Sequence, residues 1–482
     1  MIENPAEAFS HGFLATSGRH DADEEWASAS IGPLSLHLHP TLGREFRTHS
    51  SGNEVALLGE PADINQHGLR SDRIAREILS KLENQGFDAT IRYVAYLGGR
   101  FVCIIYRPGE RLIVLPDCHA THSVYWQVHG SHVVLSSHSH LLAEATGADV
   151  DEQALDLMRR CKEMGTGGTH YLPGIRTPFD EVYPLLPNHM LSIDVASGDV
   201  DHTRFYPGIV SPESIEGDPQ RRVEESFSRH ARHLCGLGRI GISLTAGVDS
   251  RTSLMASAPH MDTGSFTWTW AKFGDADADV VKDVLAANEL SFDLGFPHRI
   301  VELRRNVSED DFVASYRRSF GKYPQHPTAA FAMRMQLPAH FYHLLSMLAE
   351  TGTGFYKRRT EDSFDSRRLS YLYSRFEFGQ LSEVIELHEE LIDYASFTPS
   401  RLANFDYHDL FYWEVRAGRW AAARIQEADL SHRVILPFNQ RGIVEALLAI
   451  PFEQRANKQP LLAMIDHLSG RLLPRRSGSM PG

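Results

Sequence analysis

The sequence predicts an α+β amino-terminal domain followed by an α/β domain built on a parallel sheet. Three observations lead there. From residue 31 to 150, and again from 185 to 207, short apolar runs alternate with turn residues at hairpin spacing. From residue 221 onward, strand-like and helix-like patterns alternate, as parallel sheets require. Between them, Gly208 to Gln220 is rich in Pro, Gly and Ser and reads as a soft boundary. A chain of 482 residues is also too long for one ordinary core. Domains 1–207 and 208–482 are therefore expected.

The bulk numbers exclude several function classes. Apolar content of 42% with 23% charged residues is that of a globular protein. A formal charge of −14 argues against a nucleic-acid partner, because binding a polyanion needs a basic face. Four cysteines without CxxC spacing give neither a disulfide framework nor a cysteine zinc site. No run approaches 18 apolar residues and no signal peptide is visible, so the expectation is a cytoplasmic protein with no membrane partner.

Taken in order, Leu34 to Pro40 alternates with period two and puts His37 and His39 on one strand face, either as metal ligands or as the polar side of that strand. Glu54 to Pro61 reads as a buried strand. Ser71 to Gln85 has helical spacing, with Ile74, Ile78 and Leu82 on one side. Leu97 to Gln127 holds two apolar strands around a Pro108-Gly109 turn. Ser131 to Ala145 reads as a strand running into a helix, and Leu185 to Pro207 as a hairpin turning at Gly198.

In the second half a helix is expected over Arg221 to Leu234, then a short apolar strand (Ile240, Ile242, Leu244), a turn of small residues (Thr245, Ala246, Gly247), and a helix opening at Asp249 and Ser250. Strands follow at Ser265 to Trp270 and His298 to Leu303, with a helix from Asp277 to Glu289 between them. A strand, a small-residue turn and a helix start form a ready anion site, where backbone N–H groups converge and the helix dipole favours negative charge. Bulky side chains would keep a phosphate away from the backbone. Asp249 adds an oxygen ligand for Mg²⁺, and Ser250 a hydroxyl for a phosphate oxygen. No Lys follows Gly247, so this is not a Walker A loop. The plainer alternative is an ordinary turn with a polar helix cap. Beyond residue 360 the chain reads as mainly helical, with Glu383 to Tyr394 and Tyr407 to Leu430 most clearly so. Arg416 and Arg419 there either line a site or pair with acids.

The run LTAGVDSR (Leu244 to Arg251) resembles the pyrophosphatase loop, SGGxDS, of the asparagine synthetase family, with Thr245 for Ser and Ala246 for the first Gly. Matches in the right order lie on both sides. Gly99 to Phe101, Asp117, Tyr125 with Trp126, and Pro187 to His189 resemble the family's class II glutamine amidotransferase domain, diffusely over residues 30 to 207. Arg433, Pro437, Phe438 and Lys458 resemble its carboxyl-terminal segment, with Asn439 as a departure. The resemblance implies a degenerate Ntn-hydrolase-like αββα sandwich over 1–207. It implies an ATP-pyrophosphatase domain with a parallel sheet and a PP-loop over 208–482.

Two departures matter. The family's glutaminase nucleophile is a Cys directly after the initiator Met, whereas Ile2 stands here and the first cysteine, Cys103, lies in an apolar strand. Loss of glutamine hydrolysis is expected, similar to β-lactam synthetase and lasso-peptide cyclase relatives. The family's S-G-D-G-A-D-E segment is replaced by Ala349 to Gly354, leaving Glu350 as the acid that the resemblance offers for a second metal contact. Phe355 to Arg359 offers cations for leaving pyrophosphate, or is a solvated face.

What the resemblance implies is an ATP- and Mg²⁺-dependent ligase. It adenylates a carboxylate of a small molecule or peptide and transfers the acyl group to an amine. Thr245, Ala246, Gly247, Asp249 and Ser250 bind nucleotide, Asp249 and Glu350 bind metal, and Lys458 steadies the acyl transfer. Tyr323, Glu383 and Glu386 are candidates for the base. Ammonia-dependent amidation and a non-catalytic role in a biosynthetic complex are the alternatives, and a homodimer or a partner protein is compatible with each.

Overall fold

Short alternating strands of the first half assemble into two antiparallel sheets. The computed structural model describes residues 7–18, 25–66, 68, 70–129, 132–164, 171–194, 197–213, 217–272, 278–303, 310–321, 327–360 and 363–472. One six-stranded sheet runs, in spatial order, Tyr183–Pro184, Tyr125–His129, His132–Ser136, Phe13–Thr16, Leu34–Leu38, Ala27–Ile31. The other runs Val200–Arg204, His189–Asp194, Arg111–Pro116, Gly98–Arg107, Glu54–Ala62, Arg44–Thr48. Every neighbouring pair is antiparallel.

Period-two alternation decides the layering. Ala56, Leu58, Val102, Ile104 and Val114 of the second sheet meet Phe13, Ala15, Leu36 and Leu38 of the first. The opposite parity, Val55, Leu57, Phe101, Cys103 and Ile105, packs against Ile74, Ile78 and Leu82 of the helix Ser71–Ala95. That helix breaks at Gly86 (φ 81°), one residue past its expected end, and resumes to Ala95. Leu14 and Val134 on the outer face of the first sheet are covered by Leu141 and Leu142 of the helix Ser139–Thr146. The layers are helix, sheet, sheet, helix. His37 and His39 do not form a solvated strand face, because both are buried, His39 against the Trp26 ring and bound to Glu7 at 3.0 Å.

The second half carries a five-stranded parallel sheet in the order His298–Glu302, Phe266–Ala271, Ile240–Ser243, Tyr342–Leu344, Val434–Ile435. Its strands follow the chain outward in one direction from Ile240–Ser243 and then in the other. The order therefore reverses beside Ile240–Ser243, and ligands of such sheets bind outside the carboxyl ends at a reversal of this kind. Ile240, Ile242 and Leu344 pack with Leu254 of the helix Val248–Ser257 and Ala287 of the helix Ala278–Asp293.

One apolar cluster runs through both halves, from Phe101 and Cys103 to Trp413 and Phe438. Buried polar clamps cross the same boundary. Arg100 grips Asp429 with two 2.9 Å bonds, and Arg433 donates to Glu60 at 2.6 and 2.8 Å. Asp117 accepts from the backbone N–H of His119, Thr121 and His122 and from Asn439 at 2.9 Å. Buried charges need such pairing, since each unpaired ion costs several kcal/mol. Among the described residues no helix is long and apolar enough to cross a membrane.

Candidate active site

The turn after Ile240–Ser243 lies at the strand-order reversal, and its small residues let the chain bend tightly back into a helix. The helix is Val248–Ser257 with Gly247 as its N-cap, so Asp249 and Ser250 fall in the first turn rather than at the cap. Gly247 has no side chain to satisfy the first-turn amides, which leaves them for an outside acceptor. The loop is braced from within. Ser250 Oγ accepts from Thr245 N at 3.1 Å, and Thr245 Oγ1 accepts from Gly247 N at 3.0 Å. The Thr245 and Ser250 hydroxyls thus shape the turn before any ligand arrives.

Ala246 N donates to a carboxylate oxygen of Asp283 at 2.7 Å. Asp283 sits on the helix Ala278–Asp293, 37 residues away in sequence, and an anion already rests on a loop amide. Asp283→Asn keeps an acceptor there and removes the charge. Metal-free pyrophosphate, titrated calorimetrically, is expected to bind the variant about tenfold more tightly, the effect of one like charge at about 5 Å in a half-solvated site. Equal affinity in both proteins would show that the anion does not approach Asp283.

Three residues that lie far apart in sequence meet at this loop. Lys458 Nζ donates to Asp249 Oδ2 at 2.6 Å, while the other oxygen of Asp249 is buried without a hydrogen-bond partner among the described residues. Lys458 adopts φ 56° between the helices Phe452–Ala456 and Gln459–Leu472, a left-handed conformation that is uncommon for a side-chain-bearing residue. Glu350, on the short helix Ala349–Thr353, is held above the ordinary carboxylate range by burial and then by the charge of Asp249, with Lys458 opposing. Thr351 and Thr353 turn away, Thr351 to His119 at 3.0 Å and Thr353 to its own helix backbone at 3.1 Å. Lys357 is lowered by burial and then by Lys458, and it donates to the Ala456 carbonyl at 2.7 Å.

The orphaned Asp249 oxygen, the neighbouring Glu350 and the open first-turn amides form a donor set that fits a Mg²⁺-bound polyphosphate. A hard cation would take the two carboxylates and neutralise phosphate charge, and the amides would take phosphate oxygens.

Other expected residues lie elsewhere. Glu383 pairs with Arg160 and, with Glu386, lines a surface groove of about 580 Å³ between the helices Glu152–Glu163 and Ser382–Tyr394. Tyr323 lies outside the described residues, as does Ile2. Arg359 is not a solvated cation, since it binds Asp406 at 2.7 Å and Asp409 at 2.9 Å and covers the Phe452 ring. Arg419 donates to the backbone carbonyls of Gly174 and Arg176 rather than to an acid. Asp283 and Tyr412 escaped the sequence reading. Tyr412 opens a π-helix, Tyr412–Ala421, and its phenol is pushed up by burial and then by Glu350. π-helical turns recur at functional sites, and no residue pattern marks one in advance.

No protein-family model and no curated protein matches the chain. Among solved structures, it is similar to glutamine phosphoribosylpyrophosphate amidotransferase from B. subtilis complexed with ADP and GMP, at 10% identity over 65% of this chain and 97% of that one, with a TM-score of 0.27. It is similar to the NH3-dependent NAD synthetase of Campylobacter jejuni, at 12% identity over 38% of this chain and 90% of that one, with a TM-score of 0.20. It is also similar to the glutamine-dependent NAD+ synthetase of Acinetobacter baumannii in complex with ADP, at 11% identity over 92% and 80% of the two chains, with a TM-score of 0.21. Likenesses this low carry no argument about what this chain does.

Proposed function

We propose that the chain is an ATP-dependent, AMP-forming ligase of the asparagine synthetase-like kind that makes an amide bond, with an Ntn-hydrolase-like amino-terminal half that hydrolyses no glutamine. The observation that supports it best is the convergence of Asp249, Glu350 and Lys458 on a small-residue loop at the strand-order reversal. The LTAGVDSR resemblance points to the same loop.

The chemistry has two steps. A substrate carboxylate oxygen attacks the α-phosphorus of ATP, the bond to the β-phosphate oxygen breaks, and pyrophosphate leaves. An amine then attacks the acyl carbon, a base removes its proton, and the acyl–oxygen bond breaks with AMP as leaving group. The loop amides bind pyrophosphate oxygens. Lys458 holds its ammonium where negative charge develops and keeps Asp249 oriented until ligand arrives. Mg²⁺, held by Asp249 and Glu350, would offset the phosphate charge. Loss of the glutaminase reading rests on the thiols. All four cysteines are buried, and burial pushes the Cys118 and Cys235 thiols up to about 12 and Cys103 higher still, so none is a ready nucleophile among the described residues.

The test is production of AMP and pyrophosphate from Mg·ATP when the protein is supplied with carboxylates and amines, alongside incubation with glutamine. Carboxylate-dependent AMP without glutamate release is the expected result. ADP as the product would remove the adenylation reading, and turnover supported by ammonium salts alone would favour amidation by free ammonia. ATP inert under every condition would favour a non-catalytic partner in a biosynthetic complex. Lys458→Ala is expected to lower AMP formation by on the order of 10²-fold or more, the cost of removing one charge aimed at a transition state. A wild-type rate would return Lys458 to the role of a surface cation.

A further inference from the structure

Behind Tyr412 the π-helix Tyr412–Ala421 carries Arg416, which has no ion-pair partner among the described residues and whose Nε is buried without a hydrogen bond. Its guanidinium lies 4.5 Å from the ring centre of Phe355 and 5.1 Å from that of Trp420. Around it stand the Tyr171 hydroxyl, whose oxygen accepts from Arg416 itself, and two more buried groups without a hydrogen-bond partner, the hydroxyl of Tyr356 and the indole N–H of Trp420. Tyr171 is 6% exposed and Tyr356 1%. Tyr171, Tyr356 and Tyr412 each feel the charge of Arg416, and Tyr412 also feels Glu350 and Asp249, so this nest adjoins the loop.

Leaving one buried polar group unsatisfied costs about 1–3 kcal/mol, and several gathered at one place call for a partner. Every orphan here can donate, and the set carries one full positive charge between aromatic walls. Such a set matches a carboxylate joined to a flat or apolar group and mismatches a cation. Arg419, three residues on, shows the contrast. Backbone carbonyls of the Gly174–Arg176 segment satisfy it and tie it to the fold. A π-helical stretch shifts the side-chain register relative to an α-helix, which separates the roles of these neighbours.

We infer that the nest formed by Arg416, Trp420, Tyr171 and Tyr356 is a binding subsite for a carboxylate of the acyl substrate, and that this substrate carries an aromatic or similarly flat apolar group beside it. The inference rests on the reading of the adjacent loop as the ATP site. It makes Arg416 the residue that selects the acid partner, by a charge-assisted bond to a carboxylate over a ring-lined floor.

The test uses the full chain and two probes of one shape, phenylacetate and its neutral amide phenylacetamide, titrated calorimetrically with and without saturating Mg·AMPCPP. Wild type is expected to bind the acid at least about tenfold more tightly than the amide. Arg416→Gln should erase that preference and Arg416→Lys should keep part of it, a pattern that a merely structural arginine would not produce. Retained Mg·AMPCPP binding serves as the fold control for each variant. Equal binding of acid and amide to the wild type, including none of either, would overturn the inference, as would a preference that survives Arg416→Gln. Failure of Mg·AMPCPP to bind the wild type would instead remove the ATP reading, and the nucleotide-free titrations would still decide the subsite.

Discussion

Asp249→Ala is expected to lower Mg·ATP affinity by about 100-fold or more, measured by calorimetry, the scale set by the tenfold to hundredfold losses that even outer partners of metal ligands cause. The expected pattern has two signs. Asp249 supplies an oxygen without a partner of its own, so its removal takes away a metal contact. The same change frees Lys458, now bound to Asp249 at 2.6 Å, and deletes a negative charge beside the loop. Metal-free pyrophosphate should therefore bind the variant as well as, or better than, the wild type. A general collapse of the site would weaken both ligands, whereas loss of a metal ligand weakens only the magnesium complex. The fold should survive, because the ion pair is partly exposed and pairs of that kind contribute about 1 kcal/mol or less. Unchanged Mg·ATP binding would withdraw Asp249 from the site.

The second large effect is acid unfolding near pH 5, above the range in which ordinary carboxylates titrate. His119, His138, His189 and His343 are each 5% exposed or less. Burial lowers each imidazole to about 3 from the ordinary 6.5. Because the folded values lie below the unfolded one, the unfolded chain takes up protons first. The stability these rings contribute is fully present above about pH 6.5 and is lost progressively as the pH falls toward about 3. At pH 5 the loss is about 2 kcal/mol per ring, or about 8 kcal/mol for the four, against a total stability of about 5–15 kcal/mol for a typical domain. Glu445 and Glu350 pull the other way, since burial raises each carboxyl in the folded state and folding then takes up a proton. Two such acids do not offset four rings. Circular dichroism followed from pH 8 to pH 3 measures the midpoint, and a fold intact at pH 4 would mean that these rings are hydrated or charged in the native state.

Local pattern made much of the architecture legible. The alternation in Leu34 to Pro40, the buried apolar run Glu54 to Pro61 and the hairpin Leu185 to Pro207 appear as paired antiparallel strands, because hydrophobic pattern and turn residues are local properties of the chain. The strand, small-residue turn and helix over Ile240 to Ser257 were equally plain. Less was visible wherever a backbone device ended or bent an element. Gly86 breaks a helix that then continues, Gly247 rather than Asp249 caps the loop helix, and Tyr412 to Ala421 winds as a π-helix.

The candidate site divides along the same line. Asp249, Glu350 and Lys458 could each be named from motif order, because each stands beside a recognisable run of residues. Their meeting could not be read from the chain, since Lys458 reaches Asp249 across 209 positions only through the left-handed turn between its two helices. Asp283 on the amide of Ala246 had no local signature, and Arg416, named from the sequence only as a cation that lines a site or pairs with an acid, gave no sign of the Phe355 and Trp420 rings around it. What the sequence determined by itself was periodicity, composition and the strand, small-residue turn and helix of the loop, which depend on neighbours a few residues apart. What only the tertiary structure decided was which charges face each other and which donors go unpaired, because electrostatic pairing and burial depend on distances in space that the order of residues does not encode.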